Sequence, residues 1–407
     1  MHAEIAIAGG GQAAAQAVQT LRQNGFEDTI ALLGEEPYLP YQRPPLSKKY
    51  LAGALPKDRL YLRRESHYTS RSVDLYLGVR VEEIDPGSRR VRLADGRTLT
   101  YGRLLLATGS RVRRLAAPGG DLPGVHYLRT VADADGIAAR LHPGARLIVV
   151  GAGYIGLEVA AVTRVLGLHV TVLEAAERVM SRVVCPEMSE FYSRYHAAAG
   201  VEIRCNTEVA EFRGAGAVSS VVSTSGDVFP CDLVVVGIGV VANVELAAGA
   251  GLACDNGIAV DTCGRTADPR IAAAGDCTSH PHPSAGRRVR LESVHNAVEQ
   301  AKSAALALLN REQPFTEVPW FWSDQYDLKL QIAGLALEYD EVVPRGRMDG
   351  KSFAMYYLAE GRPIAVEAVN SPHDFMHGKK LIAARPRIPA AAIADPEIDL
   401  LRFIEQG

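Results

Sequence analysis

The chain has 407 residues, a formal net charge of −3 and a hydrophobic share of 47%, which together describe a globular protein with more than one domain. This size excludes a small disulfide-stapled scaffold, and 44 basic against 47 acidic residues predict neither nucleic-acid binding nor attachment to a membrane. The six cysteines show no CxxC pair and no zinc-ligand spacing, so we predict no metal site and a reducing, cytoplasmic location. The first residues lack the basic region of a signal peptide, and the apolar stretches are too short to span a membrane.

A strand, a glycine turn, a helix and a second strand are predicted in order within residues 3–33. The turn follows the pattern GxGxxA, in which Gly9 makes the tight turn, Gly11 lets a pyrophosphate approach the backbone and the small Ala14 allows close helix packing. Glu35, just beyond the second strand, can accept hydrogen bonds from a ribose. The alternative for the hexamer alone is a tight glycine turn, but strand, helix and acid together predict a dinucleotide site.

The same pattern returns within residues 146–173, with the stricter hexamer Gly151-Ala152-Gly153-Tyr154-Ile155-Gly156. Glu174 ends the next predicted strand, where a carboxylate accepts the ribose hydroxyls of NAD and repels the 2′-phosphate of NADP. Arg178 and Arg182 lie a few residues farther on and leave NADPH open as the alternative. Two units so far apart indicate duplicated domains rather than a solenoid.

The character of the sequence changes after residue 320. Residues 320–331, 353–358 and 363–369 are β-rich, with turns at 349–350 and 360–361, and a helix is predicted from about residue 373. We therefore predict an α/β protein with two Rossmann-like dinucleotide-binding domains and a C-terminal α+β domain.

Two further motifs connect these units. Leu104-Leu105-Leu106-Ala107-Thr108-Gly109 lies between the two glycine hexamers, and Thr266 with Ala274-Gly275-Asp276 follows them. In this order the motifs resemble the flavoprotein disulfide reductase superfamily with two dinucleotide domains. The resemblance implies FAD in the first unit, NAD(P)H in the second, and the second inserted into the first: an FAD domain at 1–111 and 241–318, an NADH domain at 112–240 and a C-terminal domain at 319–407.

Three segments narrow the resemblance. Arg43-Pro44-Pro45-Leu46-Ser47-Lys48, Arg290-Leu291-Glu292-Ser293-Val294 and Pro319-Trp320-Phe321-Trp322-Ser323-Asp324-Gln325 resemble the ferredoxin reductases of bacterial oxygenase systems. Disulfide reductases carry reactive cysteines near the first segment, where this chain has none.

The resemblance implies an NADH:ferredoxin oxidoreductase. It would pass a hydride from NADH to FAD and then single electrons to a [2Fe–2S] ferredoxin, which feeds a cytochrome P450 or a ring-hydroxylating dioxygenase. The alternatives are a rubredoxin reductase and a non-catalytic NADH- and flavin-dependent binding protein of the apoptosis-inducing-factor type.

The resemblance also assigns site residues. Those implied to contact FAD are Gly9, Gly11, Gln12, Ala13, Ala14, Glu35, Arg43, Lys48, Val81, Ala107, Thr108, Gly109, Arg129, Gly275, Asp276, Ser293, Val294 and Trp320. Those implied to contact NADH are Gly151, Gly153, Tyr154, Ile155, Gly156, Glu174 and Gly239.

Lys48 and Glu158 are the predicted catalytic residues, as a pair beside the reacting rings. Hydride transfer needs stacked rings and excluded water more than an acid or a base, so their predicted role is positioning. The alternatives are a solvated lysine and an exposed helix residue. Ser293 would begin a helix whose N-terminal dipole suits negative charge on the reduced flavin, or it is simply a cap.

Two further features of the C-terminal region remain. Trp320 and Trp322 share one face of a predicted strand, where they either pack in the core or serve at the flavin edge or in partner binding. Between residues 375 and 394 the basic residues have no acidic counterpart, which indicates a dock for an acidic iron–sulfur protein or a solvated helix face. The residues of this basic run are Lys379, Lys380, Arg385 and Arg387.

Overall fold

The computed structural model describes residues 1–283 and 285–404, which form two compact units. Unit 1 contains Met1–Gln42, Asp58–Arg111 and Val241–Phe321, and unit 2 contains Arg43–Lys57, Val112–Val240 and the chain from Trp322 onward. The predicted end of the C-terminal domain at 407 lies outside the described residues.

Among the described residues, more of the chain is in strands than in helices, and the longest helix has 15 residues. The strands are β1 (His2–Ala8), β2 (Ile30–Gly34), β3 (Val73–Leu77), β4 (Val81–Asp85), β5 (Arg90–Leu93), β6 (Thr98–Leu106), β7 (Ser110–Val112), β8 (Val125–Tyr127), β9 (Arg146–Val150), β10 (His169–Leu173), β11 (Glu202–Arg204), β12 (Val209–Arg213), β13 (Ser220–Ser223), β14 (Val228–Pro230), β15 (Leu233–Val236), β16 (Val240–Ala242), β17 (Ile258–Ala259), β18 (Ile271–Ala273), β19 (Thr278–His282), β20 (Arg287–Val289), β21 (Trp320–Gln325), β22 (Leu328–Gly334), β23 (Glu341–Gly346), β24 (Phe353–Ala359) and β25 (Arg362–Val369). The helices are α1 (Gln12–Gln23), α2 (Glu65–Thr69), α3 (Val131–Ala138), α4 (Tyr154–Val165), α5 (Pro186–Ala198), α6 (Glu245–Gly249), α7 (Val294–Leu308), α8 (Pro372–Ala384) and α9 (Ala390–Ala394).

The main sheet of unit 1 has the strand order β3-β2-β1-β6-β5-β4, and β18 also pairs with β6. Strands β1, β2, β3, β6 and β18 pair in parallel, whereas β4 and β5 continue the sheet in antiparallel fashion. Parallel strands are covered on both faces and therefore consist of nearly continuous apolar residues. Along β1, Ile5 and Ile7 enter one core cluster while Ala6 and Ala8 enter the other, as alternation in a strand requires.

Unit 2 contains a parallel sheet of order β11-β10-β9-β15-β8 and a sheet of order β21-β22-β25-β24-β23. The predicted fold class is confirmed: each glycine hexamer lies between a parallel strand and a helix, and a C-terminal antiparallel sheet with helices follows. The single β-rich stretch predicted over residues 320–331 is two strands, separated at Tyr326 with φ of 56°. The sequence did not indicate β23, an edge strand that contains Pro344.

One core explains why the C-terminal sheet belongs to unit 2. Val159 of α4 and Val149 of β9 share a hydrophobic cluster with Leu330, Phe353 and Tyr357 of the C-terminal sheet. The sequence indicated separate domains here, because a shared core leaves no mark on either segment alone.

The segment Arg43–Lys57 belongs to unit 2 through a different contact. The hydroxyl of Tyr50 and the ammonium of Lys57 donate to the two carboxylate oxygens of Asp135 on α3, at 2.6 and 2.7 Å. The division based on the sequence had placed this segment with the FAD domain.

Candidate active site

The first glycine turn has the geometry of a phosphate cradle. Gly9 has φ of 133°, and a Cβ there would lie 2.1 Å from the carbonyl oxygen of Ala107, so no other residue fits. A Cβ on Gly11 would meet no heavy atom of the described residues within 4 Å. Gly11 is also the N-cap of α1 and has no side chain, so no cap side chain accepts from the first N–H groups of the helix. Such a helix start suits a phosphate.

A second turn of unit 1, at Gly275 and Asp276, packs beside the first glycine turn. A Cβ on Gly275 would lie 3.4 Å from Cβ of Ala13 and 3.8 Å from Cβ of Ala297, so this turn packs between α1 and the start of α7. Beside it, Asp276 Oδ2 accepts a hydrogen bond from the Ser110 hydroxyl at 2.8 Å. Gln300 Oε1 accepts from the N–H of Gly275 at 2.9 Å, which fixes the turn against α7.

The loop after β6 and the start of α7 carry further predicted residues of unit 1. The hydroxyl of Thr108 donates to the carbonyl of Asn243 at 2.7 Å, and the Asn243 amide returns a bond to the carbonyl of Thr108 at 2.9 Å. Ser293 caps α7 by accepting from the N–H of Asn296 at 3.0 Å, which the sequence had left open between a cap and a flavin role. The ring of Trp320 lies 5.7 Å from that of His295 near the same helix start.

Two predicted residues of unit 1 differ sharply in exposure. Glu35 is 68% exposed after β2, with one carboxylate oxygen 3.8 Å from Arg80, so it is available to a ligand hydroxyl. Val81 is only 6% exposed and belongs to the hydrophobic core beneath the sheet.

The second glycine turn, in unit 2, is tighter than the first. A Cβ on Gly151, whose φ is 100°, would lie 2.6 Å from the carbonyl oxygen of Gly237, and one on Gly156 would lie 2.1 Å from the carbonyl oxygen of Gly151. A Cβ on Gly153, by contrast, would meet no atom of the described chain within 4 Å. The turn therefore excludes side chains where strand and helix pack and leaves space where a pyrophosphate would approach.

Glu174 lies directly beside this turn. Its carboxylate accepts from the N–H of Ala152 at 2.6 Å and from the N–H of Ala176 at 2.8 Å. Of the two arginines that left NADPH open, Arg178 donates to the Ser181 and Val184 carbonyls and to the Ser189 hydroxyl.

Arg182 is exposed, and its Nη2 atom would lie 3.8 Å from a Cβ on Gly239. Ile155, in the glycine hexamer, is 42% exposed.

The predicted catalytic pair is a buried ion pair of unit 2. Lys48 Nζ lies 2.6 Å from Glu158 Oε2, and the two side chains are 14% and 1% exposed. The Ser47 hydroxyl donates to the same oxygen at 2.5 Å, and the Ser323 hydroxyl donates to Oε1 at 2.7 Å. Burial raises the pKa of Glu158, and the charge of Lys48 and these hydrogen bonds oppose the rise. This geometry agrees with neither alternative, because Lys48 is not a solvated lysine and Glu158 is not an exposed helix residue.

Arg43 and Arg129, which the resemblance implies contact FAD, are two further predicted residues that lie in unit 2. Arg43 Nη1 donates to the carbonyl of Arg129 at 2.7 Å, and the N–H of Arg129 donates to Asp133 at 3.0 Å. Arg43 and Arg129 are thus held together at the start of α3.

All six cysteines are free thiols, and those at 185, 231, 263 and 277 are buried. Burial raises the pKa of the Cys231 thiol to about 12 and that of the Cys185 thiol to about 11, which removes them as nucleophiles at neutral pH. The described residues contain no cluster of three or more acidic, histidine or cysteine side chains that could hold a metal ion.

Two family models match the chain: pyridine nucleotide-disulphide oxidoreductase over residues 3–301, and reductase C-terminal over residues 320–404. The chain belongs to the pyridine nucleotide-disulphide oxidoreductase family. It is 45% identical over 397 residues to rhodocoxin reductase of Rhodococcus erythropolis, which covers 97% of this chain and 93% of the relative.

Two solved structures are similar throughout. Putidaredoxin reductase, in its covalent complex with putidaredoxin, matches with a TM-score of 0.96 and 40% identity over 99% of this chain and 98% of that one. The ferredoxin reductase for the CYP199A2 system from Rhodopseudomonas palustris matches with a TM-score of 0.95 and 41% identity over 98% of each chain. The resemblance to ferredoxin reductases is confirmed.

Several polar partners in the candidate sites of this oxidoreductase were not predicted by the sequence analysis. Ser47 and Ser323 lie inside segments that carried the resemblance, which was the available signal, and Ser110 follows the Ala-Thr-Gly motif by one residue. Gln300, seven residues into α7, has no local signal.

Each helix in the described parts of this family member is too short or too polar to cross a membrane. In the basic run, Lys380, Arg385 and Arg387 are exposed and Lys379 is half-buried.

Proposed function

We propose that this oxidoreductase is an FAD-dependent NADH:ferredoxin reductase that supplies electrons to a cytochrome P450 or a ring-hydroxylating dioxygenase. The observation that carries the proposal is the presence of two glycine cradles in one chain, each followed by a carboxylate beyond its second strand. Solved relatives named for ferredoxin and putidaredoxin support a protein electron acceptor.

The residues of unit 1 fit FAD. Gly11 leaves room for a pyrophosphate at the start of α1, Glu35 offers a carboxylate to a ribose, and Asp276 presents a carboxylate from a turn that Ser110 and Gln300 hold in place. When bound, FAD accepts a hydride from NADH and releases the electrons one at a time. The helix dipole at the capped start of α7 favours negative charge nearby.

The residues of unit 2 fit NADH better than NADPH. Glu174 sits where the adenine ribose of a dinucleotide lies in this fold, and its charge would repel a 2′-phosphate. Arg178 donates to carbonyls of its own loop and to the Ser189 hydroxyl on α5, so of the two arginines Arg182 is the one that could offset the repulsion.

Lys48 and Glu158 act as a fixed pair of charges. Glu158 cannot rotate freely because Ser47, Lys48 and Ser323 hold both of its oxygens, and it orients the Lys48 ammonium in return. Such a preorganised pair can align a nicotinamide amide and exclude water from the transfer.

The absence of a cysteine before residue 185 supports electron transfer without a thiol intermediate. Six free thiols, four of them buried, support a cytoplasmic location. We keep the division into FAD, NADH and C-terminal domains as part of the proposal, although compactness alone yields two units.

The test uses the full chain loaded with FAD, a [2Fe–2S] ferredoxin and, separately, a rubredoxin. We expect kcat/KM for NADH to exceed that for NADPH by at least about tenfold, and Glu174→Ala to narrow the ratio by relieving the repulsion. Glu177→Ala, an exposed acid three residues away, is the matched control and should leave the ratio unchanged.

Comparable efficiency with both nucleotides would overturn the NADH assignment. Faster reduction of rubredoxin than of ferredoxin would identify the partner as rubredoxin. No reduction of either acceptor despite full occupancy by FAD would support the binding-protein alternative.

A further inference from the structure

A chain of buried polar side chains leads from Glu158 into the C-terminal sheet of unit 2. Ser323 donates to Glu158 Oε1 at 2.7 Å, Gln325 Nε2 donates to the Ser323 hydroxyl oxygen at 3.2 Å, and His196 Nε2 lies 2.8 Å from Gln325 Oε1. Ser323 and His196 are 0% exposed and Gln325 is 1% exposed. We call Ser323, Gln325 and His196 the Ser323 chain.

Chemistry gives every hydrogen bond in the Ser323 chain one direction. An ionised Glu158 only accepts, so the single hydroxyl proton of Ser323 points to it. The Ser323 oxygen then accepts from the amide nitrogen of Gln325, which turns Oε1 of Gln325 toward His196. His196 must therefore carry a proton on Nε2, and its Nδ1 lies 3.4 Å from the Tyr326 hydroxyl. All donors point toward the carboxylate.

The position of these residues follows from the strand. Ser323 and Gln325 are two residues apart on β21 and so share one face, while His196 comes from α5. Each polar atom of the Ser323 chain would be costly to bury alone, and each is satisfied by the next member.

Building on the proposed function, we propose that the Ser323 chain positions Glu158 and keeps it ionised for its pairing with Lys48, so that the C-terminal sheet sets the lower pH limit of NADH oxidation. These three are positioning residues, because they act through Glu158. No electron or proton is passed along the chain.

The charges around Glu158 are consistent with this role. Among the described residues, the ionisable groups that interact with the charge of Glu158 are Lys48, from the segment before α2, and Tyr192 on α5. Burial raises the pKa of Glu158, and the Lys48 charge with the bonds from Lys48, Ser47 and Ser323 lowers it. Burial lowers the pKa of His196, which favours its neutral form at the end of the chain.

The experiment measures the rate of flavin reduction by NADH in stopped flow, across pH, with the FAD-loaded full chain. Ser323→Ala removes one hydrogen bond to a charged group, so we expect the acid limb of the profile to move to higher pH by about one unit. The rate of flavin reduction on the plateau at high pH should stay within about twofold of the wild-type rate. Ser323→Thr, which keeps a hydroxyl, should return the acid limb to its wild-type pH.

Gln325→Met is the second variant, which keeps the Ser323 hydroxyl but removes the donor that directs it. We expect a shift in the same direction but smaller. The matched control is Thr163→Val, because Thr163 is a fully buried hydroxyl on α4 that bonds only to backbone carbonyls of its own helix. This control should leave the profile unchanged.

Glu158→Gln separates the two levels of the proposal. If the acid limb disappears in Glu158→Gln but does not move in Ser323→Ala or Gln325→Met, the Ser323 chain has no positioning role and the proposed function stands. If wild type and Glu158→Gln have the same profile, both the inference and the role of Glu158 are overturned, while NADH-dependent flavin reduction remains. If NADH reduces none of the FAD-loaded proteins, the proposed function itself fails.

Discussion

Glu367 on β25 is a buried carboxylate outside the candidate site, and replacing it with glutamine should stabilise the protein in a pH-dependent way. It is 1% exposed, and no donor of the described residues reaches either oxygen in hydrogen-bonding geometry. Burial raises the pKa of Glu367 from 4.5 to about 8, and the nearby Tyr357 hydroxyl and Arg178 charge offset only part of the rise.

The magnitude follows from proton linkage. Between pH 4.5 and 8 the folded state keeps a proton on Glu367 that the unfolded state has lost, so the stability of the wild type falls by about 1.4 kcal/mol per pH unit. Glutamine has no such proton. The advantage of Glu367→Gln over wild type should therefore grow by about 4 kcal/mol between pH 5 and pH 8.

The assay is thermal unfolding at a fixed scan rate, with FAD present, at pH 5 and pH 8. Unfolding temperatures move by about 2–4 °C per kcal/mol in domains of 150–250 residues, so the gap should widen by about 10 °C. Glu341→Gln, at an exposed position of the same sheet, is the control and should show no widening. A Glu367→Gln advantage that is equal at both pH values would refute the assignment of a raised pKa.

Three further predictions concern the reaction. Lys48→Met should slow flavin reduction by NADH at least about tenfold and leave ferredoxin reduction by the reduced enzyme unchanged. The control Lys57→Met should leave both rates near those of the wild type. Equal rates of flavin reduction in Lys48→Met and wild type would contradict the pairing role of Lys48. Replacing all six cysteines with alanine should preserve ferredoxin reduction in protein that still folds and binds FAD, and loss of turnover with both retained would show that a thiol takes part. Charge reversal across the basic run should lower the rate of ferredoxin reduction and make that rate less dependent on salt concentration, while the rate of reduction of a neutral quinone should stay constant. An unchanged KM for ferredoxin and an unchanged salt dependence would mean that the partner docks elsewhere. The reversed positions are Lys379, Lys380, Arg385 and Arg387.

Short-range pattern was enough to locate both nucleotide cradles. Strand, glycine hexamer and helix are contiguous, and the helices Gln12–Gln23 and Tyr154–Val165 begin inside the two hexamers, as the pattern predicts. The acids Glu35 and Glu174 follow at a spacing that a βαβ unit fixes, because strand and helix lengths are set by local geometry.

Other features depend on residues that are distant in the chain. Gly9 must be glycine because of the carbonyl of Ala107, and Gly151 because of that of Gly237, so the sequence shows the pattern but not its cause. The grouping of Arg43–Lys57 with unit 2 likewise depends on Asp135, which is 78 residues from Lys57.

The environment of Glu158 shows most clearly which features the sequence predicts and which depend on the tertiary structure. The sequence proposed Glu158 and Lys48 as a pair, but Ser323 reaches the same carboxylate from 165 residues away. Hydrogen bonds act over about 3 Å and burial depends on every neighbour, so neither the direction of the Ser323 chain nor the raised pKa of Glu367 is encoded in a local pattern. The sequence by itself determined which residue types could do the chemistry, and only the tertiary structure decided which of them are desolvated and which partner each one has.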